Sequence, residues 1–104
     1  MLTESQTVMH SPETEEALLA AVMVNPEVLP EVRDLPAEAF FAERNRWVWE
    51  AVLRLAARGS AVDPVLLAGE LAASGKLEDT GGWPRLTELL ARAGYSYNAP
   101  EYAS

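Results

Sequence analysis

The chain has 104 residues, 49% of them hydrophobic, with sixteen acids against eight bases and a formal charge of -8. A chain of this length holds one core and buries roughly two thirds of the surface its unfolded form exposes, so neither a disordered chain nor a multidomain one is expected. There is no Cys, which excludes disulfides and thiolate metal sites and points to a reducing, cytoplasmic setting. The acidic balance repels phosphate backbones, so proteins rather than nucleic acids are the expected partners. No apolar run approaches the roughly 20 residues that a membrane helix needs.

Residues 1–10 are polar and without helical periodicity, and read as a mobile lead-in. Ser11 then offers an N-cap, with Pro12 at the first helical position and Glu13, Glu15 and Glu16 beside the positive end of the helix dipole. Leu18, Leu19, Val22 and Met23 continue as an apolar stripe that stops at Asn25-Pro26. Asn25 can cap a second short helix carrying Val28, Leu29 and Val32, with a bend near Pro30. Pro36 restarts the chain into a short turn holding Phe40 and Phe41, of which one ring is expected in the core and the other along its edge.

The strongest helical pattern runs from about residue 43 to 58, where Trp47, Val48, Ala51, Val52, Leu55 and Ala56 form an apolar face. Trp47 belongs to that stripe and is expected inside. Trp49, two positions on, points elsewhere and is left to cover an edge or meet a partner. Arg46, Glu50 and Arg54 stand four apart and predict an ion-pair ladder along the helix. Gly59 falls at the place of a left-handed C-cap.

Asp63-Pro64 repeats the pattern of acidic N-cap followed by proline, with Leu66, Leu67 and Leu71 expected inward and Gly75 closing the helix. Gly81-Gly82 predicts a tight corner with positive backbone angles or a close chain approach. The last clear helix opens at Trp83-Pro84, places Leu86, Leu89, Leu90 and Ala93 in register and is expected to end at Gly94. The fold class is all-α, a compact orthogonal bundle of about five to six helices, several of them short.

Candidate chemistry is sparse. Residues 69–77, GELAASGKL, superficially suggest a phosphate-binding loop, but five residues rather than four separate the glycines and Leu77 replaces the Ser or Thr that would hold Mg²⁺. His10 is the only histidine and lacks a companion for a metal or a triad. The carboxylates at 13, 15 and 16, and at 78 and 79, read as helix-start charges and a solvated loop rather than as an acid-base pair. Arg44, Arg46, Arg54 and Arg58 interleave with tryptophan in a manner that invites a single-strand nucleic-acid reading, a minor one in so acidic a chain.

The ordered landmarks resemble the N-terminal domain of bacterial replicative DNA helicases, the DnaB family. They are Glu15 and Leu19, Asn25-Pro26, the 36–41 segment, the aromatic helix to Gly59, Val62-Asp63, Lys76-Leu77 with Gly81-Gly82, and Asn98 with Tyr102. The resemblance implies a noncatalytic helical head over residues 11–95, with 96–104 beginning a helical hairpin. It also implies a place in a hexamer collar and docking of the helicase-binding domain of primase, with DNA contact indirect at most and no membrane. No cofactor is implied for this chain; ATP and Mg belong to a motor domain outside it. Where the family commonly has a His, this chain has Asn45, which places any imidazole role in doubt. Trp49, Tyr95, Tyr97 and Tyr102 are the expected partner-facing aromatics. Ser11, Leu19, Phe40, Trp47, Val48, Gly59, Asp63, Leu67, Gly81, Gly82 and Leu86 are the expected structural residues. A free-standing mimic that regulates replisome assembly and a small nucleic-acid-binding module are the alternatives.

Overall fold

The computed structural model describes residues 11–97, and all of their regular structure is helical. Five α-helices follow in order: α1 (Pro12–Val24), α2 (Leu29–Val32), α3 (Glu43–Ala57), α4 (Pro64–Ala73) and α5 (Gly82–Tyr97). Three 3-10 turns, Pro26–Val28, Ala37–Ala39 and Glu78–Thr80, make the corners. The all-α expectation therefore stands. Among the described residues no helix is long and apolar enough to cross a membrane. The expected lead-in over 1–10, with His10, and the segment holding Asn98 and Tyr102 lie outside the described residues.

Local chemistry sets the helix ends where expected. The Ser11 hydroxyl accepts from the Thr14 N–H at 3.2 Å, and the Asp63 carboxylate accepts from the Leu66 N–H at 2.7 Å. Each satisfies a donor that the first helical turn leaves without a partner. Asn25 does the same for the turn after α1, accepting from the Glu27 N–H at 3.2 Å. At the end of α3, Gly59 adopts φ 73° while the Ser60 N–H reaches the Leu55 carbonyl at 2.9 Å, closing the helix with a left-handed cap.

The core gathers Leu19, Val22 and Met23 of α1, Phe40, Val48, Trp49, Val52 and Leu55 around α3, Leu67 and Leu71 of α4, and Leu86 and Leu89 of α5. α3 runs through the middle, packed against α1 and α4, while α5 lies along α1.

Four expectations are overturned. Trp49, not Trp47, is the buried tryptophan: Trp49 is fully enclosed, whereas Trp47 is half-buried with the Lys76 Nζ 4.5 Å above its ring. At about 100° per residue the two indoles stand symmetrically either side of Val48, so periodicity cannot choose between them. The choice falls to tertiary partners: the Trp49 Nε1 donates to the Leu35 carbonyl at 2.8 Å and its ring leans on Phe40 at 5.3 Å. Leu66, expected inside, is 40% exposed. The ladder of Arg46, Glu50 and Arg54 is replaced by contacts off the helix, Arg46 donating to the Phe40 carbonyl and Arg54 to Glu70. Gly94 does not end α5, which continues to Tyr97.

Candidate functional site

The acidic start of α1 does more than complement a helix dipole. Glu13 is exposed, but Glu15 is fully buried and Glu16 nearly so. Glu15 reaches across to the start of α3 and accepts three hydrogen bonds: from the Phe41 N–H at 2.5 Å, the Ala42 N–H at 3.3 Å and the Asn45 Nδ2 at 2.8 Å. Ala42 is the N-cap of α3 and has no side-chain oxygen to serve that end. A carboxylate from another helix stands there instead, near the positive pole of the dipole.

Asn45 extends the network. Its amide donates to Glu15 while its carbonyl oxygen accepts from an Arg85 terminal nitrogen at 2.6 Å, and that same nitrogen donates to Glu16 at 3.0 Å. Glu15 and Glu16 of α1, Asn45 of α3 and Arg85 of α5 are thus joined in one buried chain of hydrogen bonds. Arg85 is 7% exposed, and burial pulls its guanidinium below the ordinary arginine range, with the Glu16 hydrogen bond opposing and Arg44 adding to the fall. This marks a desolvation cost and not a neutral side chain, because arginine keeps its proton in proteins.

The corner ahead of α5 is shaped for Arg85. Gly81 has φ 103° and Gly82 φ 71°. A methyl group on Gly81 would lie 2.7 Å from the Arg85 Cβ, so the close approach foreseen from Gly81-Gly82 is the passage of this arginine's stem over bare backbone. Arg92 at 3.1 Å and Arg44 at 3.8 Å close on Glu16 from the solvent side. With Glu88 and Leu89 they border a cavity of about 160 Å³. Both buried carboxylates accept hydrogen bonds from within the domain, Glu15 from the start of α3 and Glu16 from Arg85. Among the described residues no group of three His, Cys, Asp or Glu side chains could hold a metal ion.

The helix-start reading of Glu15 and Glu16 is therefore corrected to that of an interior network. Sequence reasoning missed Arg85 altogether and saw Asn45 only as a departure from a family pattern. A usable signal was present: Asn45 lies three residues before Val48, on the core face, and a polar residue there needs buried partners.

The surface differs from expectation as well. Trp49, offered as a partner-facing residue, is enclosed and has no surface to offer. Tyr95 and Tyr97 fall on the last turn of α5, where only the backbone is described. The exposed large apolar side chains among the described residues are Phe41 at 79%, Val65, Leu66 and Trp83. Phe40, its neighbour, is fully buried, which fulfils half of the expected division of labour; Phe41 stands out in solvent rather than along the core's edge.

The gapped glycine pair of the would-be phosphate loop also resolves: Gly69 lies inside α4, and Gly75 follows it with φ 75°. The arginines of α3 are engaged within the domain. Arg54 and Arg58 both pair with Glu70, at 2.6 and 2.7 Å, holding its carboxyl below the usual carboxylate range through the Arg58 bond first and the Arg54 bond second.

Comparison with known proteins matches residues 7–104 to the DnaB-like helicase N-terminal domain. The replicative DNA helicase DnaB of Geobacillus stearothermophilus is 39% identical over 92 residues, a stretch covering 88% of this chain and 20% of that protein. The DnaB of Rhodothermus marinus is 33% identical over 92 residues, covering 88% of this chain and 10% of that protein. The crystal structure of the N-terminal domain of DnaB helicase from Mycobacterium tuberculosis superposes with a TM-score of 0.76 at 27% identity, covering 81% of this chain and 59% of that one. The chain thus spans a fifth or less of the length of these two curated relatives.

Proposed function

This chain belongs to the DnaB-like helicase N-terminal domain family, and we propose that it acts by protein contact, as the noncatalytic head of a replicative helicase in DNA replication. In this reading the head contributes to the hexamer collar and docks the helicase-binding domain of primase. ATP and Mg serve a motor domain that corresponds to other parts of the relatives' much longer chains. The head's contribution is geometric: it holds partners beside the motor and so raises their effective concentration there.

The observation that carries the reading is the match of residues 7–104 to the N-terminal part of a helicase. A pull-down of this chain with the cognate primase's helicase-binding domain, run beside the full-length helicase, tests it. Capture of both is expected; capture of the full-length helicase alone removes primase docking from this domain. The arginines that invited the nucleic-acid alternative make contacts within the domain, Arg44 with Glu16, Arg46 with the Phe40 carbonyl, and Arg54 and Arg58 with Glu70, which favours protein contact over it.

A further inference from the structure

Phe41 has the least protected large apolar side chain among the described residues, at 79% exposed, yet it sits on unusually well-held backbone. The preceding Phe40 is buried, its N–H bonded to the Ala37 carbonyl at 3.0 Å and its own carbonyl gripped by Arg46 at 3.2 and 3.0 Å. The N–H groups of Phe41 and Ala42 both end on the buried Glu15 carboxylate. The Ala42 carbonyl accepts from the Asn45 and Arg46 N–H groups at 3.0 and 2.9 Å. Three consecutive residues are thereby fixed, and the ring of the middle one projects into water.

Association loses free energy to ordering whatever was loose beforehand, and aromatic side chains on rigid backbone lose least. Fixed aromatics of this kind are enriched at the centres of protein interfaces. The charge of the chain leading to Phe41 indicates what kind of partner fits. From Glu27 to Glu43 the chain exposes five acids, Glu27, Glu31, Asp34, Glu38 and Glu43, against one base, Arg33. The next cations along, Arg44 and Arg46, are turned to Glu16 and to the Phe40 carbonyl.

We propose that Phe41 is a preorganised anchor that inserts into an apolar pocket edged by lysine or arginine on a partner protein. The proposal rests on the protein-contact reading above and assigns its contact point, in place of Trp49. Burial of the ring supplies the hold, and the acidic stretch sets orientation and association rate.

The test titrates the helicase-binding domain of primase against the wild-type chain, Phe41→Ala, Phe41→Trp and Glu38→Lys, with a thermal melt of each. Phe41→Ala should weaken binding about 30-fold or more, the loss typical of an interface hot spot, while melting as the wild type does. Phe41→Trp should retain binding, and Glu38→Lys should slow association and flatten its salt dependence. Wild-type affinity in Phe41→Ala overturns the anchor and leaves the protein-contact reading standing; no binding by the wild type overturns both. A melting temperature several degrees lower in Phe41→Ala would mean that the ring is held by the chain itself. A concentration-dependent dimer lost in that variant would mean that a second copy covers it. Either result overturns the partner proposal.

Discussion

Two charge clusters tie helices together in this domain, one between α1, α3 and α5, the other between α3 and α4. In the first, Glu15, Glu16, Asn45 and Arg85 meet with Arg85 7% and Glu16 10% exposed at the side chain. In the second, Glu70 takes Arg54 and Arg58, whose side chains are 41% and 56% exposed. The bond lengths are alike, 2.6 to 3.0 Å in the arginine contacts of both. What differs is the replacement available when a partner is lost. Water can take over for Arg54 or Arg58; Arg92 and Arg44 remain beside Glu16, but nothing can replace Arg85 at the buried Asn45 carbonyl oxygen without opening the core. Similar geometry therefore carries very different consequences.

Removing Arg85 is the severest way to break the comparison. Arg85→Ala strands the buried Asn45 carbonyl oxygen and leaves Glu16 only Arg92 and Arg44 at its solvent edge, and a loss of about 3 kcal/mol, the lower end for a broken buried pair, is expected in urea unfolding. A loss under about 1 kcal/mol would place this cluster with the wet one. Gly81→Ala should come next, at about 2–3 kcal/mol, because a side chain at positive φ is strained and its Cβ would collide with Arg85; Gly75→Ala, with similar φ but nothing within 4 Å, separates strain from collision. Asn45→Ala removes one of three donors to Glu15 and one acceptor from Arg85, and about 1–2 kcal/mol is expected by the same measurement.

The smallest effect belongs to Glu70→Gln, and it should shrink further in 1 M salt, where the screening length falls to about 3 Å. Its signature is in pH. The folded carboxyl titrates below its unfolded value, so the stability it contributes is present above the ordinary carboxylate range and lost as pH falls through the lowered folded value. The wild type minus Glu70→Gln difference should follow that course, and a difference that grows on acidification would refute the assignment.

The local features of this fold were legible in the chain because each is decided within one turn of helix. Ser11 and Asp63 accept from backbone three residues on, and Gly59 and Gly81 take positive φ where the preceding turn ends. Leu19, Phe40, Val48, Leu67 and Leu86 reach the core because apolar spacing exposes no better face. The candidate site was far less legible. The contact between Glu16 and Arg85 spans 69 positions and that between Asn45 and Arg85 spans 40, distances over which charge pattern carries no register.

The sequence by itself thus determined that this chain is an α-helical domain, where most of its helices stop and start, and which aliphatic positions are inside, Leu66 excepted. Only the tertiary structure decided which tryptophan is enclosed, that Glu15 serves another helix's start, and that Phe41 rather than Trp49 faces solvent. The reason is one of range. Caps and apolar stripes are settled by neighbours along the chain, whereas a side chain off the centre of a stripe or between helices goes inward or outward according to what the rest of the fold brings to meet it: a carbonyl for Trp49, a guanidinium for Asn45, open water for Phe41.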